Sequence, residues 1–426
     1  MRFFILLYNI ITTLLLIPLS PVLLAWTLTP KYRGRIRQRL GYTLPRLNKK
    51  REPHIWVHAL SVGEAASSLP LLMAVRGQMP NARLIFSTTT KSGASYAAAR
   101  IAPIVDHLIV FPFDLLWPVK KYINRLAPDI FILIETDFWP NFIWQLKSRG
   151  IPLILANGRL TAHSLQGYKR AAFFFRPLFN SFTALGVQMA SDAANMRRLG
   201  VESKKIITAG NLKYDLPPPQ NARARHQPVF NRPAAGGPLL VAGSTHEGEE
   251  EIILTAYNKL RQDFPDLELI IAPRDIERRE AVERLIQNMN LTSSRRSKGG
   301  GTDLMILDTL GELSTVYALA DIALVGGSLV ARGGHNPLEP ALHGTPILFG
   351  PHMEDFAEIS RNLLDCGGAR QVNAVELFSV LRDLLNNPEA KRKMGERAAG
   401  LIRRNQGAAH RYIKIIKDSL QALHDQ

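Results

Sequence analysis

Residues 311–351, GELSTVYALADIALVGGSLVARGGHNPLEPALHGTPILFGP, decide the fold. Within them Asp321-Ile-Ala-Leu-Val-Gly-Gly has the length and composition of a strand buried on both faces of a parallel sheet. Its two closing glycines let backbone approach a ligand closely, so a binding loop is expected next. After Ala331-Arg-Gly-Gly comes His335-Asn-Pro-Leu-Glu339-Pro, which sets a carboxylate just inside a helix start. There Glu339 is placed to accept two hydrogen bonds from a ribose diol. On this stretch alone, a solvated first-turn acid favoured by the helix dipole is an equal reading. Pro346-Ile-Leu-Phe-Gly-Pro then restarts the strand and loop pattern.

The same short apolar runs recur on the N-terminal side of this stretch. His54-Ile-Trp-Val-His, Arg83-Leu-Ile-Phe-Ser, His107-Leu-Ile-Val-Phe, Asp129-Ile-Phe-Ile-Leu-Ile, Pro152-Leu-Ile-Leu-Ala and Ala184-Leu-Gly-Val-Gln form one series. Pro238-Leu-Leu-Val-Ala, Leu267-Glu-Leu-Ile-Ile, Met305-Ile-Leu, Ile322-Ala-Leu-Val and Ile347-Leu-Phe form a second. Strand runs alternating with helical stretches predict two doubly wound, Rossmann-like α/β domains. Between them Leu216-Pro-Pro-Pro-Gln-Asn and the Pro and Gly that follow cannot hold regular structure. The expected division is therefore 52–216, a linker over 217–237, and 238–426. The polar, glycine-rich stretch around Arg296 is expected to be an exposed, solvated loop.

With 426 residues and 46% apolar content the chain can bury two cores. A single cysteine, Cys366, excludes a disulfide framework and a thiolate zinc site, and is expected to be a small buried residue. Phe3 to Pro30 carries no charge, long enough for the roughly 20 residues that cross a bilayer core. Residues 1–30 are therefore expected to anchor the protein in a membrane, with Pro18 and Pro21 allowing a kinked or shallow placement. A cleavable signal peptide fits less well, since the apolar run is long and no small-x-small site ends it. Lys31, Arg33, Arg35, Arg37, Arg39, Arg46, Lys49, Lys50 and Arg51 follow before the first acid, Glu52, making 31–51 a basic juxtamembrane segment. With Arg2 these bases account for ten of the net +17, a bias that faces the cytoplasm and attracts anionic lipid. Charge gathered beside an apolar run, with no nucleic-acid-binding motif, argues against a nucleic-acid partner.

Candidate chemistry sits where strands end. Glu64 closes Ser61-Val-Gly-Glu after a strand, as a capping carboxylate or a site acid, at a helix start whose dipole is expected to keep its pKa low. Glu135 and Asp137 follow the next strand but two, beside Trp139, as site acids or as helix caps. Arg274 follows Leu269-Ile-Ile-Ala-Pro, and Gly311, Glu312 and Leu313 open a helix suited to an anion. His58, His246, His335 and His352 read as hydrogen-bond partners rather than metal ligands. No Asp-x-Asp, His-Glu-x-x-His or Walker loop calls for a metal. Tyr168 to Phe179 reads as helix core or, with its cations, as a surface for a lipid.

Five segments carry a resemblance: Val57-His-Ala-Leu-Ser-Val-Gly-Glu64, Ile134-Glu-Thr-Asp-Phe-Trp-Pro-Asn141, Gly210-Asn-Leu-Lys-Tyr-Asp215, Ala242-Gly-Ser-Thr-His-Glu247 and Ala272-Pro-Arg-Asp275. Together with 311–351 they resemble the 3-deoxy-D-manno-octulosonic acid (Kdo) transferases of lipopolysaccharide biosynthesis, glycosyltransferase family 30, over nearly the whole chain. The resemblance implies the two-domain GT-B architecture, with an N-terminal acceptor domain, a C-terminal donor domain and the active site in the cleft between them. It implies an inverting enzyme at the cytoplasmic face of the inner membrane, moving Kdo from CMP-Kdo to the lipid A precursor lipid IVA without a metal cofactor. It makes Glu64 the general base, and Glu135 and Lys213 supporters of the transition state. It assigns Pro273, Arg274, Gly311, Glu312, Leu313, Asn336, Pro337, Leu338 and Glu339 to CMP and, more weakly, Ser244 and Thr245 to phosphate or sugar. The C-terminal helical segment, from about Pro388, is expected by analogy to pack back on the N-terminal domain.

Overall fold

The computed structural model describes residues 5–15, 18, 29–47, 52–135, 137–215, 236–299 and 301–424. The chain divides into two compact units, Met1–Asp215 with Gln406–Gln426, and Leu216–Asn405. The expected linker lies almost wholly outside the described residues.

In the first unit seven strands, β1 (His54–Ala59), β2 (Arg83–Thr88), β3 (His107–Val110), β4 (Ile130–Ile134), β5 (Leu153–Gly158), β6 (Ala184–Val187) and β7 (Ile206–Thr208), form a sheet of order β3-β2-β1-β4-β5-β6-β7. Every pairing is parallel. The two-residue alternation of a strand sorts β1 into two cores. Ile55 and Val57 face one layer, and Trp56 packs edge-on against Phe131 and Phe142 in the other. The first layer is closed by the C-terminal helix Ala408–His424, whose Tyr412, Ile413, Ile416 and Leu420 share the cluster of Ile55 and Val57. The return of the chain end is therefore real but begins at 406, so the C-terminal domain stops at 405 rather than 426.

The second unit repeats the plan with β8 (Leu239–Thr245), β9 (Glu268–Pro273), β10 (Ser294–Arg295), β11 (Leu304–Ile306), β12 (Ile322–Val325), β13 (Ile347–Phe349) and β14 (Ala369–Gln371), in the order β10-β11-β9-β8-β12-β13-β14. These pairings are parallel too. Leu240, Ala242, Leu269 and Ile271 meet the helices Glu249–Leu260 and Leu377–Asn386 on one face. Val241, Ile270 and Ala323 meet Val316 and Tyr317 on the other. The stretch around Arg296, expected as a plain loop, supplies the edge strand β10. Cys366 is half-buried rather than buried, with Sγ 3.4 Å from the Leu363 carbonyl.

The expected membrane-crossing helix is not found: no helix among the described residues is long and apolar enough to span a bilayer. Residues 5–15 are helical, and 16–17 and 19–28 lie outside the described residues. That first helix does not stand apart from the α/β body. Asn9 Nδ2 donates to Asn141 Oδ1 at 2.7 Å and Asn141 Nδ2 returns a bond to Asn9 Oδ1 at 3.0 Å, while Ile5 is buried. Leu6, Leu7, Ile10, Ile11, Leu14 and Leu15 point outward. Two bases of the following segment also hold the body: Arg35 donates to the Thr89 carbonyl, and Arg39 to those of Phe111 and Pro112. They are structural donors to the body, which a reading of the segment as a charged lipid-facing stretch does not anticipate.

Candidate active site

In both sheets the strand order reverses beside the first strand, at β1/β4 and at β8/β12, and loops leaving such a switch point form the crevice where α/β proteins bind ligands. The first unit puts Glu64 after β1 and Glu135 and Asp137 after β4. Ser61 caps the helix Val62–Gln78, its Oγ accepting from Glu64 N at 3.4 Å, and Glu64 Oε2 reaches back to Leu60 N at 2.5 Å. This variant of a capping box turns the carboxylate inward. Burial, reinforced by the nearby charges of Glu135 and Asp137 and opposed by the Leu60 N–H, raises the Glu64 pKa to about 7. The low value expected from the helix dipole is thus corrected, because desolvation outweighs the backbone donors of Leu60 and Ser61. A carboxyl poised there can take and release a proton at neutral pH.

Glu135 occupies a left-handed conformation, φ 63°, and its Oε1 is 4.0 Å from Lys213 Nζ. A buried network fixes that pair. Asn157 Nδ2 donates to Glu135 Oε1 at 3.3 Å, and Asn157 Oδ1 accepts Leu212 N at 2.9 Å, seating the short helix Leu212–Tyr214 that carries Lys213. Gln188 links the Asn157 carbonyl, 2.9 Å, to Asn211 Nδ2, 3.0 Å, and Tyr412 OH accepts Asn157 N at 2.7 Å. Asp215 then caps the C-terminal helix through Gly407 N and Ala409 N at 2.6 and 2.5 Å. None of Asn157, Gln188, Tyr412 or Asp215 was singled out in the sequence, because their partners are distant in the chain.

Asp137 does not reach Lys213 in this network. Its Oδ2 accepts Trp139 Nε1 at 2.8 Å and lies 3.4 Å from Nε2 of His58, which is fully buried. Burial pushes the His58 pKa down against the pull of Asp137. Asp114 is held next to this loop, capping the helix Pro140–Ser148 through Asn141 N and Phe142 N, at 3.0 and 2.9 Å, and its own pKa rises to about 6 through burial. The Asn9 contact ends on the same Asn141. In the Tyr168–Phe179 segment Phe179 is core, whereas Phe173 is exposed, so the cluster divides between the two readings.

In the second unit the expected donor residues cluster at the ends of β8, β9 and β12. Ser244, φ 59°, and Thr245 close β8, and Arg274 N donates to the Thr245 carbonyl at 3.0 Å. His246 and His335 meet Nε2 to Nε2 at 2.8 Å. Burial, Arg274 and His246 together depress His335 to about 4. Asn336 Oδ1 accepts Leu338 N at 3.1 Å and its Nδ2 lies 3.4 Å from Glu339 Oε1, setting the start of Leu338–Leu342. Glu339 is near enough to Tyr317 to raise that phenol beyond what burial does. Leu313 and Tyr317 pack against Gly243, where a Cβ would fall 1.9 Å from Tyr317 OH.

Two features depart from expectation. Glu312 is engaged by Arg296, with Nη2 to Oε1 at 3.0 Å, and by Thr309 Oγ1. Burial would raise the Glu312 pKa, but these donors hold it below the usual range. Arg296, expected to be merely solvated, therefore braces a residue assigned to CMP. Glu249, fully buried, accepts four backbone N–H groups: His246 and Gly327 on one oxygen at 2.9 and 2.6 Å, Ser328 and Leu329 on the other at 2.9 and 2.8 Å. It ties the loop after β8 to the loop after β12. Glu250 beside it binds Thr245 Oγ1 at 3.0 Å and Arg278 at 2.7 Å. The sequence signal for both is the acid run after Gly-Ser-Thr-His, whose inward direction only the fold reveals.

Residues 34–216 match the family model described as 3-deoxy-D-manno-octulosonic-acid transferase (kdotransferase). The 3-deoxy-D-manno-octulosonic acid transferase of Haemophilus influenzae is 32% identical over 92% of this chain and 93% of its own. That of Chlamydophila psittaci is 31% identical over 85% of this chain and 84% of its own. A UDP-GlcNAc 2-epimerase of Neisseria meningitidis, solved with UDP-GlcNAc bound, is alike in fold alone: TM-score 0.55 and 15% identity, covering 87% of this chain and all of that one. Sequence identity along nearly the full length, on two doubly wound units, places the chain in the Kdo transferase family of lipopolysaccharide biosynthesis, as a glycosyltransferase.

Proposed function

We propose that the chain transfers Kdo, with inversion, from CMP-Kdo to the lipid A precursor lipid IVA. Glu64 takes the proton from the acceptor hydroxyl as its oxygen bonds to the anomeric carbon of Kdo. The bond from that carbon to the phosphate oxygen breaks, and CMP leaves with the electron pair. Lys213, oriented by Glu135, offsets the developing negative charge. The observation that carries this reading is the place of Glu64 at the β1 switch point, its carboxylate turned back onto Leu60 N, where burial and the charges of Glu135 and Asp137 raise its pKa to about 7, a basicity suited to general-base work at neutral pH.

Donor recognition is assigned to the second unit. Glu339 and Asn336 hold the ribose, Arg274 the phosphate or the pyrimidine edge, and Gly311, Glu312 and Leu313 with Pro273, Pro337 and Leu338 complete the CMP pocket. Ser244 and Thr245 add phosphate or carboxylate contacts. A monophosphate leaving group can be met by Lys213 and Arg274, so activity is expected without a metal. The acceptor's lipid is expected to bring the enzyme to the cytoplasmic face of the inner membrane. There the outward Leu6, Leu7, Ile10, Ile11, Leu14 and Leu15 meet acyl chains and the basic segment meets anionic headgroups.

Turnover of CMP-Kdo by EDTA-treated enzyme, with CMP and UDP as competitors, tests the donor assignment. Full activity inhibited by CMP and not by UDP is expected. Inhibition by UDP alone would indicate a UDP-sugar transferase, and a rate restored only by Mg²⁺ would overturn metal independence.

A further inference from the structure

We propose that His246 and His335 form a one-proton clamp in the second unit, which takes up a proton from solvent when the oxyanion of the donor nucleotide binds beside it. The proposal rests on the donor-pocket reading above and adds a positioning role to two residues not assigned to it. The pair bridges the two loops that leave the switch point, one after β8 and one after β12. Its ring planes are 9° from parallel and its Nε2 atoms 2.8 Å apart. The surroundings are built around it. Gly327, φ 68°, lies against both rings, where a Cβ would be 3.1 Å from His335 Cδ2 and 3.4 Å from His246 Cδ2. Glu249 pins the backbone N–H groups of His246 and Gly327 together.

An Nε2-to-Nε2 hydrogen bond needs one N–H and one lone pair. With one proton on each ring the pair is neutral and the bond is made. One further proton can enter at the Nδ1 of the donating ring without disturbing it. A second further proton would put N–H groups face to face and break the bond, so the clamp holds one added proton and no more.

The charged groups around the pair decide when that proton enters. Arg274, after β9, faces His335, and Arg332, on the loop after β12, faces His246 together with Arg278. Glu249 and Glu250 face His246 from the helix Glu249–Leu260, but Glu249 is committed to four N–H groups and Glu250 to Arg278 and Thr245. Asp355, after β13, lies behind Gly333. In the free protein, burial leads and the arginines assist in lowering the proton affinity of both rings, against Glu249 and Glu250 at His246, and His335 stands at about 4. A phosphate or carboxylate among Arg274, Arg332 and the pair reverses that field and raises the proton affinity. Binding is then proton-coupled between the free and bound pKa values, and tightens as pH falls by up to about tenfold per unit.

The test is calorimetric titration of the full chain in detergent with CMP, in two buffers of different protonation enthalpy, between pH 5.5 and 7.5. CMP's own phosphate titrates near 6, so wild type is compared with the H246Q/H335Q double variant and with H335Q alone. Wild type is expected to take up about one proton more per CMP than the double variant, and to lose affinity more steeply as pH rises. Equal uptake and equal pH slope in wild type and both variants, with E339A weakening CMP, would overturn the clamp and leave the pocket standing. A persisting difference in uptake with CMP affinity unchanged by E339A would uphold the clamp and remove Glu339 from the pocket.

Discussion

With Glu64 as the general base, its raised pKa should set the acid side of the pH–rate profile. With the group titrating near 7, general-base activity requires its ionised form, and below that value the competent fraction falls about tenfold per pH unit. At pH 5 about 1% of the enzyme would be ionised, so kcat/KM for the acceptor, at saturating CMP-Kdo, should be about 100-fold below its plateau at pH 8 and above. A carboxyl at the ordinary 4.5 would lose less than about twofold over the same span. Since burial is the first cause and the Glu135 and Asp137 charges follow, Asp137→Asn should move the acid limb to lower pH without abolishing it. Stability carries the opposite sign. A carboxyl raised in the folded state contributes stability below its unfolded pKa of about 4.5 and loses it as pH rises through about 7. The shift corresponds to a ceiling of about 3 kcal/mol, lowered by the solvent that still reaches the group. Glu64→Gln should therefore raise Tm at pH 8 and leave it nearly unchanged at pH 5, while lowering kcat by about 10² to 10⁴. The assay is kcat/KM for the acceptor at saturating CMP-Kdo from pH 5 to 9, with thermal unfolding of both proteins at the two ends. A profile flat from pH 5.5 to 8, or a Glu64→Gln variant that turns over normally, would refute the reasoning.

Other predictions follow from particular contacts. Glu339→Ala should weaken CMP strongly and Arg296→Ala to a lesser degree, through release of Glu312; calorimetry that finds Arg296→Ala neutral would make its ion pair a surface feature. Tyr412→Phe removes the acceptor of a buried Asn157 N–H, costing about 1–3 kcal/mol in denaturant unfolding, and should lower kcat by loosening the Glu135–Lys213 pair; unchanged stability and rate would detach the C-terminal helix from the site. Deleting residues 1–30 should lower the Tm of the first unit, because the Asn9–Asn141 bonds go with them, and Asn9→Ala should reproduce part of that loss. A truncated protein as stable as the full chain would mean the helix merely rests there.

How far the sequence reaches is set by the range of the interactions involved. Runs such as Ile130-Phe-Ile-Leu-Ile are strands by local composition, and each buried strand of both sheets was legible in this way. The edge strands β7, β10 and β14 were not, being two or three residues long and partly exposed. Loops that end strands put Glu64, Glu135 and Glu339 at switch points and Arg274 at the end of the neighbouring β9, again a local signal. What the sequence hides is direction. The dipole argument for Glu64 fails because its side chain folds inward beside two other acids, a fact of tertiary packing. Glu249 reads as one acid among several at a helix start until four N–H groups from two loops converge on it. Asn9 looks like a polar blemish in an apolar run until Asn141, 132 residues away, answers it.

Joining Kdo from CMP-Kdo to lipid IVA with Glu64 as base is the reaction to be demonstrated. Mass spectrometry of the lipid formed from CMP-Kdo and lipid IVA, by wild type and by Glu64→Gln of shown CMP affinity, tests it most directly. The expected result is a mass gain of one or more Kdo units with release of CMP for wild type, and almost none for the variant, whose CMP binding stays intact. Unmodified lipid IVA with wild type, or equal product from the variant, would contradict it.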